Sequence, residues 1–315
     1  MNSTLLADNS EASLKKFLNT LSPVDEVGAK ARVEMLATRS IKTSSKNWAI
    51  DLAIRMVDLT TLEGADTPGK VRALCAKGVY PDPTDLSVPS VGAICVYNDM
   101  VKIARQALDA GGGKDIPVAA VSTAFPSGRA SMEVKVQDTR DAIANGASEI
   151  DMVIDRGAFL AGKLGFVFDQ IKAIKEVCGD KVHLKVILET GELVTLDNVR
   201  KASYLAMLAG ADFIKTSTGK VAPAATAPVV YVMLEAVRDY YKLTGNRIGV
   251  KPAGGIRNTK DAIKQLVLVN EIAGPEWLDP SLFRIGASAL LNDLLMQRMK
   301  MQDGYYASPN YVTLD

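Results

Sequence analysis

The sequence predicts a (β/α)₈ barrel, and two observations support that prediction. From about residue 55 of the 315-residue chain, short apolar, β-branched runs alternate with stretches whose apolar residues have helical spacing. Eight such runs occur, and successive runs lie roughly 30 to 35 residues apart, about the length of one βα unit. An open doubly wound sheet is the alternative, and it is disfavoured because no strand–Gly-x-Gly-x-x-Gly–helix fingerprint begins the chain.

The predicted elements divide the chain into three parts. Residues 1–50 form an N-terminal helical extension, residues 51–300 form the barrel, and residues 301–315 form a flexible C-terminal tail. The extension contains two predicted helices, Leu14–Leu21 and Val24–Arg39, which pack outside the barrel or across its floor. The predicted strands are Arg55–Leu59, Gly92–Tyr97, Pro117–Thr123, Glu149–Ile154, His183–Glu189, Asp212–Thr216, Ile248–Pro252 and Phe283–Ala287.

The composition excludes several classes of function. Lys and Arg total 37 against 36 Asp and Glu, and without a basic stripe nothing favours a nucleic-acid partner. No apolar stretch approaches the length of about 18 residues that spans a bilayer, so no membrane partner is expected. Three widely spaced cysteines without a Cys-x-x-Cys pair indicate reduced thiols, and we expect a cytoplasmic protein. His183 is the single histidine, which leaves no second histidine for a zinc site.

Two lysines close apolar runs that are typical of buried strands. Lys215 ends the run Asp-Phe-Ile-Lys, and Lys251 ends the run Ile-Gly-Val-Lys. Lysine is among the residues least often fully buried, so a lysine at the end of a core strand indicates a function. An amine in an apolar site next to another cation keeps a neutral, nucleophilic fraction and can attack a carbonyl. The pair therefore predicts imine chemistry on an aldehyde or ketone.

Other polar residues fall at the same ends of the predicted strands, where barrels of this kind carry their chemistry. Asp58 and Thr60 close strand one, Cys95 lies in strand two, Asp151 in strand four and Lys185 in strand five. A structural network of ion pairs inside the barrel is the alternative, since each unpaired buried charge costs several kcal/mol. The convergence of charges from different strands on one mouth favours a catalytic site.

Loops suited to an anion follow the last three predicted strands. Glycines let the backbone approach an anion closely, and the N-terminus of the last helix attracts anions through its unpaired N–H groups. Loops after strands seven and eight often hold phosphate in this fold, although the glycines could serve tight turns alone. The substrate is therefore expected to be a phosphorylated carbonyl compound. The candidate phosphate-binding residues are Gly219, Lys220, Gly254, Gly255, Arg257, Gly286 and Ser288.

Seven segments of the chain resemble the deoxyribose-phosphate aldolase family, over about residues 50 to 295. Enzymes of that family are class I aldolases on a (β/α)₈ barrel, and they use no metal. They cleave 2-deoxy-D-ribose 5-phosphate reversibly to acetaldehyde and D-glyceraldehyde 3-phosphate in deoxynucleoside catabolism. The resemblance implies this reaction, with a small phosphorylated sugar as substrate and no cofactor. The segments are Asp58–Leu62, Ala93–Tyr97, Glu149–Val153, Leu184–Glu192, Asp212–Lys220, Lys251–Arg257 and Arg284–Ser288.

The resemblance also implies a role for each polar residue of the mouth. Lys215 would form the Schiff base with C1 of the substrate, and Lys251 would be the cation that keeps Lys215 partly neutral. Asp151 would act with Lys251 and a water in proton transfer, and Lys185 would join this relay. The residues that would line the pocket are Asp58, Thr60 and Cys95.

Two features depart from the family pattern. Many relatives have a second hydroxyl after the position of Ser288, whereas this chain has Ala289, which implies one weaker phosphate contact. Some relatives end in a tyrosine that reaches into the site. The candidates for such a residue in this tail are Tyr305, Tyr306 and Tyr311.

Two other functions fit the same residues. A class I aldolase or transaldolase for a longer ketose phosphate would use the same lysines, because the size of the pocket depends on how its loops pack. A non-catalytic barrel that binds sugar phosphates would hold the phosphate without a covalent adduct, and the intact lysine pair disfavours it. For the assembly, a homodimer is the expectation for a barrel of this kind.

Overall fold

Eight parallel strands form a single sheet in the computed structural model, which describes residues 6, 8, 10–306, 308 and 312. The order of the strands in the sheet is β7-β6-β5-β4-β3-β2-β1-β8, so β1 pairs with both β2 and β8. The strands, numbered along the chain, are β1 Val57–Thr60, β2 Ala93–Tyr97, β3 Val118–Ser122, β4 Glu149–Val153, β5 His183–Ile187, β6 Phe213–Lys215, β7 Gly249–Lys251 and β8 Ile285–Ala287.

Backbone hydrogen bonds between β7 and β8 close the sheet. The Val250 N–H donates to the Leu282 carbonyl at 2.9 Å, and the Arg284 N–H donates to the Val250 carbonyl at 3.2 Å. The Gly286 N–H donates to the Pro252 carbonyl at 2.9 Å. The predicted (β/α)₈ barrel is therefore confirmed, and the open sheet is excluded. Each of the eight predicted strands overlaps one observed strand.

Helices connect the strands and surround the barrel. Several begin where a side chain satisfies a free N–H group of the first turn: Ser131 accepts from the N–H of Val134, and Thr195 from that of Asn198. Among the described residues, none of the helices is both long and apolar enough to cross a membrane. The helices are α1 Glu11–Leu18, α2 Glu26–Ala37, α3 Thr43–Met56, α4 Pro68–Val79, α5 Val101–Ala110, α6 Met132–Ala144, α7 Arg156–Leu160, α8 Leu164–Cys178, α9 Leu196–Leu208, α10 Ala227–Thr244, α11 Thr259–Ile272 and α12 Leu290–Asp303.

The N-terminal part of the described chain contains three helices, whereas the sequence predicted two. Helix α1 packs on α8 and α9, α2 on α10 and α11, and α3 on α11 and α12, so all three lie outside the barrel against its helices. Helix α3 runs directly into β1 and includes residue 50, the predicted boundary. It also includes Arg55, which was wrongly assigned to strand one. The buried residues Ile50, Ala53 and Ile54 have helical spacing and lead directly into the apolar strand. The sequence therefore does not mark where the helix ends, which explains the error.

The main apolar core lies between the strands and the surrounding helices. In β4, Ile150 and Met152 point outward into this core, while Glu149 and Asp151 alternate with them and point into the barrel. A small apolar cluster that includes Cys95 occupies part of the barrel interior. The interior of this barrel is therefore built largely around charged groups, and the strands that carry them are buried on both faces.

Replacing Ile54 by alanine tests whether α3 is an integral part of the folded unit. Ile54 is fully buried in the main core, so Ile54→Ala is expected to lower the free energy of unfolding by about 2–5 kcal/mol. Urea denaturation measures this change. Val27→Ala, at a position on α2 that is 79% exposed, is the matched control and should change stability by less than about 0.5 kcal/mol. A loss of similar size in both variants would contradict the integral packing of α3.

Candidate active site

Lys215 and Lys251 are the last residues of β6 and β7, and the two strands are neighbours in the barrel. The register pairs Lys215 directly with Lys251, and it pairs Asp151 of β4 with Lys185 of β5. The four side chains are almost completely buried, with exposed fractions between 0% and 3%. The structure therefore brings together the four residues that the sequence predicted as catalytic.

The carboxylate of Asp151 connects the three lysines. Its Oδ2 accepts one hydrogen bond from Lys215 and one from Lys251, each at 2.7 Å. The two amine nitrogens consequently lie within about twice that distance of each other. Lys185 approaches Oδ1 from the other side at 3.5 Å. Oδ1 is buried and accepts no hydrogen bond from any described residue, so it keeps a free acceptor position.

Asp58, Arg284 and Glu149 connect Lys251 to Lys185 along a second route. Lys251 Nζ lies 2.5 Å from Asp58 Oδ2, and Arg284 Nη1 donates to Asp58 Oδ1 at 2.7 Å. Arg284 Nη2 donates to Glu149 Oε1 at 3.2 Å, and Lys185 donates to Glu149 Oε2. A closed ring of alternating charges results. We call it the charge ring, and its members in order are Lys251, Asp58, Arg284, Glu149, Lys185 and Asp151.

Glu149 and Arg284 were not among the site residues predicted from the sequence. Glu149 begins β4 and points into the barrel because it lies two residues before Asp151 on the same face of the strand. This alternation was a usable signal in the sequence. Arg284 precedes β8, and its contact with Asp58 depends on the pairing of β8 with β1. No local pattern in the sequence indicates that contact.

The charge ring shifts the pKa values of its members. Burial alone would raise the pKa of Asp151, but Lys215, Lys251 and Lys185 hold that pKa well below its usual value. Burial would likewise lower the pKa of Lys251, but the carboxylates of Asp151 and Asp58 raise it well above its usual value. Asp151 therefore stays a carboxylate and Lys251 stays an ammonium across the neutral range.

The number of charges distinguishes Lys215 from the other two lysines. The six members of the charge ring carry three positive and three negative charges, so the ring is neutral without Lys215. Among the described residues, Lys215 pairs with one carboxylate, that of Asp151, whereas Lys185 and Lys251 each contact two. If Lys215 is counted as an ammonium group, the buried cluster carries one excess positive charge, and an uncompensated buried charge is costly.

The residues predicted to line the pocket lie in the barrel interior. Cys95 of β2 is fully buried, and burial raises the pKa of its thiol, while Lys251 opposes that rise. The hydroxyl of Thr60 is half-buried and donates to the carbonyl of Asp58 at 2.7 Å. Asp58 itself is a member of the charge ring, and it contacts Lys251 rather than only lining a pocket.

The loops after β6 and β7 are joined to each other by hydrogen bonds. The Ala253 N–H donates to Thr216 Oγ1 at 2.9 Å, and Ser217 Oγ donates to the Ala253 carbonyl at 2.5 Å. A Cβ atom on Gly254 would lie 3.3 Å from Gly219 Cα, so the two loops touch at their glycines. Both glycines have positive φ angles, 79° and 80°, which glycine adopts without steric cost.

The cationic and hydroxyl candidates lie around these glycines. Lys220 pairs with Glu63 of the loop after β1 at 2.8 Å, and Arg257 is exposed after β7. Gly255 is exposed with a φ of 87°, and Ser288 follows β8 directly before α12. The N-terminus of α12 has no side-chain cap, so its N–H groups are open to an anion.

Glu189 is a second buried acid that the sequence did not single out. It follows β5 with a left-handed φ of 53°, which is uncommon for a residue other than glycine. Its carboxyl group accepts from Thr218 Oγ1 at 2.6 Å and from the Thr218 N–H at 3.2 Å. Thr218 directly precedes Gly219, so Glu189 holds one side of the β6 loop in place.

The tail tyrosines that the structure describes do not reach the site. Tyr305 and Tyr306 are exposed after the last turn of α12, whereas the mouth of the barrel lies at its first turn. Tyr306 accepts from Gln297 at 3.2 Å, and its ring contacts Lys300 of the same helix. Tyr311 lies outside the described residues. Within the described part of the chain, no group of three or more metal-binding side chains converges.

Comparisons with known proteins show which family the chain resembles. Residues 52–295 match the family model described as "DeoC/LacD family aldolase". The chain is 46% identical to the deoxyribose-phosphate aldolase of Homo sapiens, over 88% of this chain and 89% of that protein. The corresponding mouse protein, from Mus musculus, is 45% identical over 87% of this chain and 88% of its own length.

A solved structure supports the same conclusion for the fold. A protein from Coccidioides immitis superposes with a TM-score of 0.65 at 29% identity, covering 86% of this chain and 98% of its own. The family resemblance recognised in the sequence is confirmed by these matches. Because the family model spans all eight strands and the relatives cover most of the chain, this protein belongs to the DeoC/LacD family of aldolases.

Proposed function

We propose that this protein is a class I aldolase that reversibly cleaves 2-deoxy-D-ribose 5-phosphate to acetaldehyde and D-glyceraldehyde 3-phosphate. The observation that carries the proposal is the pair of buried amines, Lys215 and Lys251, on one oxygen of Asp151. Glycine loops suited to a phosphate follow the same two strands. The name of the human relative supports this substrate.

Lys215 is the amine best suited to form the Schiff base. Lys185 and Lys251 each lie between two carboxylates, while Lys215 contacts one. Its side chain is also 3% exposed, whereas those of the other two are 0% exposed. The Lys215 nitrogen attacks C1 of the substrate, water leaves, and the protonated imine withdraws electrons from C2.

Cleavage then breaks the bond between C2 and C3. Its electron pair moves to C2 and forms an enamine with the imine carbon, while the C3 hydroxyl loses its proton and becomes the aldehyde of D-glyceraldehyde 3-phosphate. Oδ1 of Asp151 accepts this proton through a water, and Lys251 stabilises the charge that passes between them. A proton returns to C2 by the same route, and water releases acetaldehyde from Lys215. Lys185 completes the proton route on the other side of Asp151.

The phosphate would bind where the last three strands end. Backbone N–H groups at Gly219, Gly254 and Gly255 surround it, and Lys220 and Arg257 supply positive charge. Gly286 keeps this region open, because a Cβ atom there would lie 2.9 Å from Ala253 Cβ and 3.3 Å from Lys251 Cε. Ser288 adds a hydroxyl, and Ala289 after it adds none. Asp58, Thr60 and Cys95 line the sugar end of the pocket.

A class I aldolase or transaldolase for a longer ketose phosphate is the second candidate. A comparison of aldol donors discriminates between the two candidates. We expect the enzyme to use acetaldehyde, and a strong preference for dihydroxyacetone would overturn the proposed substrate. A non-catalytic phosphate-binding barrel would give no covalent adduct in the borohydride experiment below.

We also propose a cytoplasmic location, which the three unpaired cysteines support. The homodimer stays a prediction.

Borohydride trapping tests the identity of the nucleophile. Borohydride reduces an imine to a stable amine, so treatment in the presence of 2-deoxyribose 5-phosphate should attach the substrate to Lys215, as peptide mass analysis will show. Lys215→Leu should abolish the adduct and lower kcat/KM at least about 10³-fold. Lys242→Leu, at an exposed lysine, is the control and should keep both. An adduct on Lys185 or Lys251 would contradict the assigned roles.

Lys251→Leu tests the neighbouring cation. Removing this ammonium favours the protonated form of Lys215 and breaks the proton route, so kcat should fall about 10²–10³-fold with the fold intact. The control is Lys175→Leu, since Lys175 forms a partly buried ion pair with Asp212 away from the mouth. Steady-state kinetics and circular dichroism measure the two effects. Near-normal turnover in Lys251→Leu would show that Lys251 does not tune the nucleophile.

Glu189→Gln tests the buried acid that holds the β6 loop. Burial raises the pKa of Glu189 in the folded protein, although the bonds from Thr218 oppose the rise. The carboxyl group therefore stabilises the fold fully below its unfolded pKa of about 4.3, and this stabilisation is lost as pH rises through the folded pKa. Because glutamine does not ionise, the stability of Glu189→Gln relative to the natural protein should increase with pH. Urea denaturation at several pH values measures the difference in unfolding free energy between the two proteins. A difference that stayed constant or decreased with rising pH would contradict the prediction.

A further inference from the structure

Two members of the charge ring lie below the site and cannot touch a substrate at the mouth. Glu149 is the first residue of β4, and Arg284 precedes the first residue of β8, so both lie toward the opposite end of the barrel from the loops. Their side chains are buried, with exposed fractions of 3% and 8%. They contact Asp58, Lys185 and each other, and through these residues they connect to Asp151 and Lys251.

We propose that Glu149 and Arg284 are positioning residues that control the protonation of Lys215 by fixing the total charge of the charge ring. This inference rests on the proposed function, in which Lys215 must be a neutral amine to attack C1. One charge of each sign comes from this pair, so the loss of either one alone leaves the ring with a net charge, whereas the loss of both does not. Their effect on Lys215 is transmitted through Lys185 and Asp151 on one side and through Asp58 and Lys251 on the other.

The surroundings of Lys215 leave few other sources of charge. Strand β3 contributes apolar Ala119 and Val121 to the interior, and β8 contributes Gly286, which has no side chain. Among the described residues, the charged groups nearest to Lys215 are therefore members of the ring. The titratable groups that interact with Lys215 are Asp151 from β4 and Cys95 from β2, and Lys251 from β7 is its partner in the strand register. Lys185 from β5 lies on the other oxygen of Asp151, and Asp58 from β1 contacts Lys251.

Two single substitutions should move the pH dependence of the reaction in opposite directions. Glu149→Gln keeps the shape of the side chain and removes one negative charge, so a proton on Lys215 becomes less favourable. The acidic limb of the plot of kcat/KM against pH reports the pKa of an essential group in the free enzyme. This limb should shift to lower pH by about one unit. Arg284→Met removes one positive charge and should shift the same limb to higher pH by a similar amount.

The double variant and a matched control separate this effect from structural damage. Glu149→Gln combined with Arg284→Met restores a neutral ring, so its acidic limb should return to within about 0.3 pH units of that of the natural protein. Asp212→Asn makes the same carboxylate-to-amide change in a partly buried ion pair outside the ring, and it should leave the limb in place. A general loss of packing would reduce kcat without this pattern of opposite shifts.

Borohydride trapping on the same variants distinguishes the failure of the inference from the failure of the proposed function. The inference expects the substrate adduct on Lys215 in every variant, together with opposite shifts in the two single variants and their cancellation in the double variant. Limbs that do not move, or that move in the same direction, would overturn the inference while the adduct still supports the aldolase. Absence of any adduct in the natural protein would overturn the proposed function itself.

Discussion

The carboxylate of Asp151 is the group on which the rest of the site depends. It is fully buried, and three lysines from three other strands surround it. A buried carboxylate without partners would be neutralised or would destabilise the fold, so the lysines are as necessary to Asp151 as it is to them. Asp58 is compensated in the same way by Lys251 and Arg284. The six members of the charge ring therefore carry no net charge when Lys215 is not counted.

The barrel supplies the geometry that the ring requires. Residues at the same level of neighbouring parallel strands point into the interior together, which is why Lys215 and Lys251 meet and why Asp151 and Lys185 meet. The pairing of β8 with β1 places Arg284 against Asp58. The loops that continue these strands carry the glycines, so the reacting amine and the phosphate site have a fixed separation.

The sequence was informative where one strand end carries its own signal. A lysine that closes an apolar run is unusual by itself, and Lys215 and Lys251 were recognisable for that reason. The long-range pairing of Arg284 was not, because it depends on which strands the closed barrel makes adjacent. Helix α3 was missed because Ile50, Ala53 and Ile54 lead into an apolar strand without a glycine or proline between them. The roles of Glu149 and Glu189 likewise required knowledge of what each carboxyl group contacts.

Neutron crystallography of the deuterium-exchanged protein without substrate is the most direct test of the central claim, that the ring holds its charges and leaves Lys215 neutral. The method locates each exchanged proton on the lysine amines and on Asp151 and Asp58. At neutral pH we expect fully deuterated ammonium groups on Lys251 and Lys185, a bare carboxylate on Asp151, and an amine with two deuterons on Lys215. An ammonium group with three deuterons on Lys215, or a deuteron on the carboxylate of Asp151, would contradict the account.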